Sequence, residues 1–407
     1  MPAAGHAPRG TRQRRNASGR RPPRILHLTR EYPPVVWGGL GTAVGGLATA
    51  SAQAGLTVGV LLVGVAGYES YGHIVPAGHT PAHLEQTAVD PTGVQLFPTG
   101  WSDAAARAVA LVREWQPDVV HIHPVELWPI AQAIQAEVGT PLVYTVHSLN
   151  LAEYAIGQEP PDILNLWRTQ EQLIGAADRV IVISRSEAAL LADYYPAATG
   201  RVRIIGNGIH NRPLTSRPPK RDGEPLTVLY TGRFVDRKGI RDLLAAIPLV
   251  LHQAPQTRFV LVGGYGSGHD VERDWLPPAL NDARSQLHFT GWLGPAETAR
   301  WYDSADVLAV PSWYEPFGMV ILEGMLHGLP ITATAVGGPA EILTHQQTGL
   351  LVPPKDPAAL AHALLRLIKE PDTRHRIAHA AATEVRRTWL WPSIVDHMRT
   401  VYQELCP

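Results

Sequence analysis

Short apolar runs alternate with amphipathic stretches along almost the whole chain. Ile25-Leu26-His27-Leu28 is the first such run and reads as a strand. Trp37-Gly38-Gly39-Leu40-Gly41 follows, and residues 42–54 are alanine-rich and amphipathic, a helix ending at Gly55. Strand-like runs recur at 56–65, 119–123, 142–146, 180–183 and 202–205, with helical segments at 103–115, 127–137 and 163–176. Strands alternating with helices predict a parallel sheet wound on both faces. Pro and charge then cluster at Arg212-Pro213, Arg217-Pro218-Pro219-Lys220 and Arg221-Asp222-Gly223-Glu224-Pro225, a linker signature. The same rhythm restarts beyond it. Strands are expected at 226–230, 257–262, 286–289, 307–310, 331–334 and 349–352, and helices at 240–253, 297–305, 319–327, 339–343 and 357–369. The two halves share an architecture without a sequence repeat of fixed period. Two doubly wound α/β domains, 24–211 and 226–385, with a ligand in the cleft between them and a linker over 212–225, are the expected arrangement.

Composition narrows the function. The 407 residues are 45% hydrophobic and 17% charged, enough apolar material for sizeable cores. With 35 basic and 36 acidic residues the net charge is -1, which disfavours a generally basic nucleic-acid binder. The longest weakly polar run, Gly55 to Gly67, is too short and glycine-rich to span a bilayer. Residues 1–23 are basic and rich in Pro and Gly, with no apolar stretch of the secretory kind before Ile25, and are expected to be a solvated, disordered tail. The single cysteine, Cys406, cannot form an internal disulfide and fits a reducing compartment, so a cytoplasmic location is expected. Oligomeric state leaves no trace in the sequence.

Three segments carry candidate chemistry. Gly38-Gly39 lies between strand and helix, where glycines let a backbone approach a ligand and a helix start presents free N–H groups to an anion. A tight strand-to-helix turn explains the pair equally well, and Val44 stands where a dinucleotide fingerprint needs glycine. Arg233 and Lys238, in Thr231-Gly232-Arg233-Phe234-Val235-Asp236-Arg237-Lys238-Gly239, follow a strand and are placed for a pyrophosphate cradle, with solvated surface charge as the alternative. Glu315-Pro316-Phe317-Gly318-Met319-Val320-Ile321-Leu322-Glu323 sets two carboxylates eight positions apart around a helix start near Gly318. Carboxylates accept hydrogen bonds from sugar hydroxyls, though a cap and a satisfied helix residue have the same spacing. His121-x-His123 has metal-ligand spacing, but no third ligand is evident nearby in the sequence and no metal site is expected.

Together these segments resemble glycosyltransferase family 4. Glu315 through Glu323 is similar to that family's Glu-seven-Glu motif. So are the contexts Pro311-Ser312-Trp313-Tyr314, Thr334-Ala335-Val336-Gly337-Gly338-Pro339-Ala340-Glu341, Gly232-Arg233-Phe234 with Lys238-Gly239, Val262-Gly263-Gly264 and Phe289-Thr290-Gly291-Trp292. The opening Arg30-Glu31-Tyr32-Pro33-Pro34 with Trp37 to Gly41 resembles the glycogen-synthase-like branch.

The resemblance implies a GT-B fold, two Rossmann-like domains facing across a cleft, and a retaining transferase that takes its sugar from a nucleotide diphosphate. A C-terminal helix, 386–407, would cross back to the first domain. Arg233 and Lys238 would bind the donor diphosphate, Glu323 the ribose hydroxyls, and Glu315 hydroxyls of the transferred sugar. Backbone N–H groups of Phe317, Gly318, Met319 and Val320 would cradle sugar and phosphate. Gly38 and Gly39 would close on the donor, Leu293 would flank the base, and His147 matches the family histidine at the sugar's reacting face. The catalytic set so implied is His147, Arg233, Lys238 and Glu315. No cofactor is implied; the donor is a substrate, with UDP the default and GDP and ADP open.

Two positions depart from glycogen synthases. Val36 stands where they place a lysine, and Pro124 follows His123 where they carry an aspartate. Transfer to a small metabolite or lipid therefore stands beside extension of a glucan. Other GT-B enzymes, an epimerase or a phosphorylase, and an inactive sugar-nucleotide-binding protein complete the alternatives. The phosphorylase lacks a recognisable cofactor lysine, and the joint presence of Glu315, Glu323, Arg233, Lys238 and His147 weighs against loss of catalysis.

Overall fold

The computed structural model describes residues 21–34, 36, 38–64, 88–156, 163–213, 224–264 and 266–406. The first domain is built on β1 (Arg24–Thr29), β2 (Thr57–Val63), β3 (Ala88–Val89), β4 (Gln95–Thr99), β5 (Val119–Ile122), β6 (Leu142–Val146), β7 (Arg179–Val182) and β8 (Val202–Ile204). They form one sheet in the order β3-β4-β2-β1-β5-β6-β7-β8, parallel except for the short antiparallel edge pair β3-β4. The second sheet holds β9 (Thr227–Thr231), β10 (Arg258–Val262), β11 (Leu287–Gly291), β12 (Val307–Val310), β13 (Ile331–Thr334) and β14 (Leu350–Val352), ordered β11-β10-β9-β12-β13-β14. Its pairings are parallel throughout. Both sheets reverse strand order beside their first strand, which makes a ligand crevice at the carboxyl ends of the strands. Continuous apolar strands such as Thr57–Val63 and Val307–Val310 are buried because helices cover both faces.

The expected helices form at closely similar limits, for example Ile163–Ala176, Ile240–Gln253 and Pro357–Lys369. Gly39–Gln53 begins three residues earlier than the pattern suggests, at the glycine pair itself. β3, β4 and the helices Arg185–Tyr194, Gly268–Trp275 and Pro371–Thr388 are additional to the expected elements. Helix Pro371–Thr388 runs through residue 386 and packs in the core of the second domain through Ala381 and Val385. The chain changes partner at Trp389 and Leu390. There Ile209 N–H donates to Trp389 O at 2.8 Å and Trp391 N–H donates to Ile209 O at 3.2 Å.

The final helix, Trp391–Leu405, then packs on the first domain with Ile394, Val395, Met398 and Tyr402 among the core residues. Gly46 explains how it lies so close to Gly39–Gln53: a Cβ there would fall 2.2 Å from Trp391 Nε1. Inside the tail expected to be disordered, Arg21 pairs with Asp118 at 2.6 Å. Residues 1–20 and the linker residues 214–223 lie outside the described residues.

Candidate functional site

The second domain presents a notch at the carboxyl ends of β9 and β12, lined by Tyr230, Thr231, Gly232, Lys238, Val310, Ser312, Glu315 and Val320. Lys238 enters it from a 3-10 turn, Asp236–Lys238, that leads into helix Ile240–Gln253. Its Nζ donates to Glu315 Oε2 at 2.6 Å, and Ser312 Oγ donates to the same oxygen at 3.2 Å. Burial lowers the Lys238 pKa, and the adjacent Glu315 carboxylate acts in the opposite direction. The two residues expected to hold phosphate and sugar are therefore ion-paired with each other here. Arg233 lies on the exposed rim, and no hydrogen bond or ion pair engages its guanidinium among the described residues.

The turn after Glu315 is built for close approach. Gly318 caps helix Met319–Leu326 at φ 102°, a conformation that favours glycine. A Cβ on Gly338 would lie 1.9 Å from Phe317 O, so the paired glycines 337 and 338 read as packing against this turn. A helix start such as that of Met319–Leu326 leaves its first backbone N–H groups without helical partners, an arrangement that favours anions. One turn further along, Glu323 Oε2 accepts from Tyr302 O–H at 2.7 Å, and Tyr302 in turn lies 2.8 Å from Thr231 Oγ1. Burial pushes the Glu323 pKa up to about 7, and the Tyr302 hydrogen bond opposes that rise. Leu293 is half-buried beside this core.

Across the cleft, Gly38 caps helix Gly39–Gln53, and a Cβ on Gly39 would sit 3.8 Å from the Met319 side chain. Two helix N-termini thus nearly meet, one from each domain. His147 follows β6 and lines a small pocket with His123, Thr145, Gly206, Asn207 and Trp391. Gly206 connects that pocket to the second domain, since a Cβ there would be 2.7 Å from the Phe317 ring. Lys238, Glu315 and Val320 thus share the notch of the second domain, while Gly39 and His147 approach from the first.

Three further contacts, none of them expected from the sequence, hold the domains together. Tyr314 O–H donates to the Glu187 carboxylate, 2.9 Å from each oxygen, and accepts from Leu149 N–H at 3.2 Å. Glu341 caps helix Arg185–Tyr194 from the other domain, accepting from Arg185 N–H at 2.9 Å and Ser186 N–H at 2.8 Å. Buried Arg237 pairs with Glu153 at 3.3 Å. Ser184-Arg185-Ser186-Glu187 has the Ser-x-x-Glu pattern of a helix start, which signals the helix but not that its glutamate serves a different domain.

Folding brings His27 beside His121 and His123, so a third histidine absent from the local sequence completes a cluster with ring nitrogens within 4.8 Å of one another. His27 Nδ1 and His123 Nε2 are 2.9 Å apart, a hydrogen-bond separation. Two nitrogen ligands on a tetrahedral zinc stand about 3.3 Å apart. His121 spends Nδ1 on Tyr402 O–H at 2.8 Å and Nε2 on Thr145 Oγ1 at 2.7 Å. The cluster is arranged as a hydrogen-bonded network.

Residues 37–211 match the family description "Glycosyltransferase Family 4", and residues 225–370 match "Glycosyl transferases group 1". The D-inositol 3-phosphate glycosyltransferase of Thermobispora bispora is 30% identical over 323 residues, covering 73% of each chain. The chain belongs to glycosyltransferase family 4. This glycosyltransferase is also 29% identical to the glycogen synthase of Mycobacterium tuberculosis over 402 residues, 93% of its own length and 94% of the relative. Its fold matches a sucrose-phosphate synthase from Thermosynechococcus elongatus, with TM-score 0.74 and 24% identity over 94% of this chain and 99% of the other. It also matches the Anabaena HepE protein in complex with UDP and glucose, with TM-score 0.71 and 19% identity over 94% and 100% of the two chains. The glycosyltransferase therefore has the two-domain GT-B fold. Among the described residues, no helix is long and apolar enough to cross a membrane.

Proposed function

We propose that this glycosyltransferase moves a hexose-type sugar from a nucleotide diphosphate, UDP by default, to a hydroxyl or other nucleophile of a small metabolite, lipid or glycan. We read the transfer as retaining and independent of a metal ion. The observation that carries the reading is the notch in which Lys238 and Glu315 meet beside Arg233 and a helix start. Cleavage of the bond to the anomeric carbon leaves negative charge on the β-phosphate and positive charge on the ring. Arg233, Lys238 and the N–H groups at Phe317, Gly318, Met319 and Val320 are the groups placed to receive the phosphate charge.

Glu323, with one oxygen held by Tyr302, offers Oε1 to a ribose hydroxyl. Glu315 turns from Lys238 to the sugar's hydroxyls as phosphate takes its place. Leu293 flanks the base. Gly38 and Gly39 close over the donor, and His147 meets the sugar at its reacting end. The acceptor oxygen then attacks from the face that the diphosphate leaves, and the departing phosphate takes its proton.

Asp-x-Asp does not occur in the chain, so the cations are assigned the metal's usual task. Turnover is expected to persist in excess chelator; loss restored by Mg²⁺ would overturn the metal-free reading. UDP is favoured because a protein of the same fold, HepE, has been solved with UDP-glucose. The relatives' names, glycogen synthase and D-inositol 3-phosphate glycosyltransferase, support a glucan chain and a small polyol phosphate as competing acceptors. Val36 and Pro124 tip the choice toward the small acceptor.

The test is a thermal-shift series with UDP, GDP and ADP, followed by donor cleavage across a nucleotide-sugar panel. A ligand at 100 times its Kd adds about 2.7 kcal/mol of apparent stability. A flat response to all three nucleotides would remove the proposal. A product ladder rather than one adduct would move the acceptor assignment to glucan extension.

A further inference from the structure

Three histidines stand end to end on the face of the first sheet beneath the C-terminal helix. His27 on β1 pairs in register with His121 on β5, His123 follows β5, and His147 follows β6. His27 Nδ1 lies 2.9 Å from His123 Nε2, and His123 Nδ1 lies 3.1 Å from His147 Nε2. Burial keeps these rings neutral at ordinary pH. It lowers the pKa of His27 to about 3 and of His147 to about 4, and it holds His123 well below its usual value.

A neutral imidazole has one N–H and one lone pair. A chain of three linked in this way therefore has only two settings: every ring carries its proton on Nδ1, or every ring carries it on Nε2. The settings differ at the far end. His27 Nε2 is buried and has no hydrogen-bond partner among the described residues. In the first setting that atom is a bare lone pair; in the second it is an N–H without an acceptor. Orphaned buried N–H groups are the rarer case, which selects the first setting. His121 cannot relieve His27, because both of its nitrogens are taken by Tyr402 and Thr145.

We propose that the His27–His123–His147 chain locks His147 as its Nδ1–H tautomer, so that it meets the substrate as a hydrogen-bond donor and not as a base. His123 and His27 are then positioning residues, acting through His147. The use of that donor rests on the proposed function, in which His147 meets the transferred sugar; the tautomer itself does not. An N–H so placed suits an acceptor oxygen, such as a sugar hydroxyl or the oxygen bridging to phosphate.

The test uses full-length protein with ¹⁵N-labelled histidine, whose long-range ¹H–¹⁵N correlations report which ring nitrogen is protonated without any substrate. His147 is expected to carry its proton on Nδ1. His123→Leu removes the donor to His147 and is expected to release the tautomer and lower kcat about 10- to 100-fold with little change in donor KM. His123→Asn retains an N–H near the same position and is expected to restore the tautomer and most of kcat. The proposal is overturned by an Nε2 proton on wild-type His147, by an unchanged tautomer in His123→Leu, or by stoichiometric metal in the purified protein. Equal losses in both variants that follow the melting temperature would also overturn it, by showing a purely structural role. Because the spectrum needs no turnover, an inactive wild-type protein with the expected tautomer would sink the functional reading alone.

Discussion

Lys238→Ala is expected to lower turnover of a nucleotide-sugar donor by about 100- to 1000-fold, the usual cost of removing a preorganised group from a site of developing negative charge. The same substitution should also destabilise the second domain. Lys238 donates to Glu315 at 2.6 Å, and Glu315 is buried, so truncation leaves a carboxylate with Ser312 as its remaining named partner. Breaking one side of a buried pair costs about 3 kcal/mol. Arg233→Ala separates the two effects. Its guanidinium is on the exposed rim, so the variant should lose turnover on a similar scale with an unchanged melting temperature. Steady-state kinetics with thermal melts on both variants decide the matter. Wild-type rates in either would remove that cation from the leaving-group site.

The fold was legible because its signal is local. A buried parallel strand is a run of apolar residues, and Val307–Val310 or Leu142–Val146 can be read with no knowledge of neighbours. β4 was passed over because Gln95–Thr99 carries a proline and polar ends, as befits a strand near the sheet edge. The donor-side residues were legible by resemblance alone. Spacing by itself left Glu315 and Glu323 as possible helix-end residues, and only the fold shows Glu315 meeting Lys238.

The rest depends on long-range assembly. Nothing near His121 in sequence announces His27, which lies 94 residues before it and arrives through the pairing of β1 with β5. Likewise, Glu341 stands within a motif of the second domain, yet its carboxylate caps a helix of the first. A helix start can be read from its own residues, but a cap supplied from another domain cannot.

Tyr314→Phe should produce the second large effect, through the domain interface. The Tyr314 hydroxyl donates to Glu187 and accepts from Leu149, joining the residue before Glu315 to two segments of the first domain. Burial pushes the Glu187 pKa up to about 7, with the Tyr314 hydrogen bond opposing the rise. Loss of a hydrogen bond to a buried charged group costs about 2–3 kcal/mol. At about 2–4 °C per kcal/mol for domains of this size, the melting temperature should fall by roughly 5–10 °C.

Activity should fall as well, by about 10- to 100-fold in kcat/KM, because a shift near 1 Å between the reacting groups is enough for that loss. The pH dependence supplies a control with a definite sign. A carboxylate whose folded pKa is raised binds its proton in the native state at pH values where the unfolded chain has released it. Stability from Glu187 is thus full below about pH 4.5 and declines as pH rises toward about 7. Glu187→Gln keeps an oxygen for Tyr314 and removes the titration, so it should flatten that part of the stability profile and be least harmful at pH 8. If Tyr314→Phe melts like wild type at pH 8, or if Glu187→Gln leaves the slope between pH 5 and 7 intact, the hydroxyl–carboxylate contact is not what holds the two domains in register.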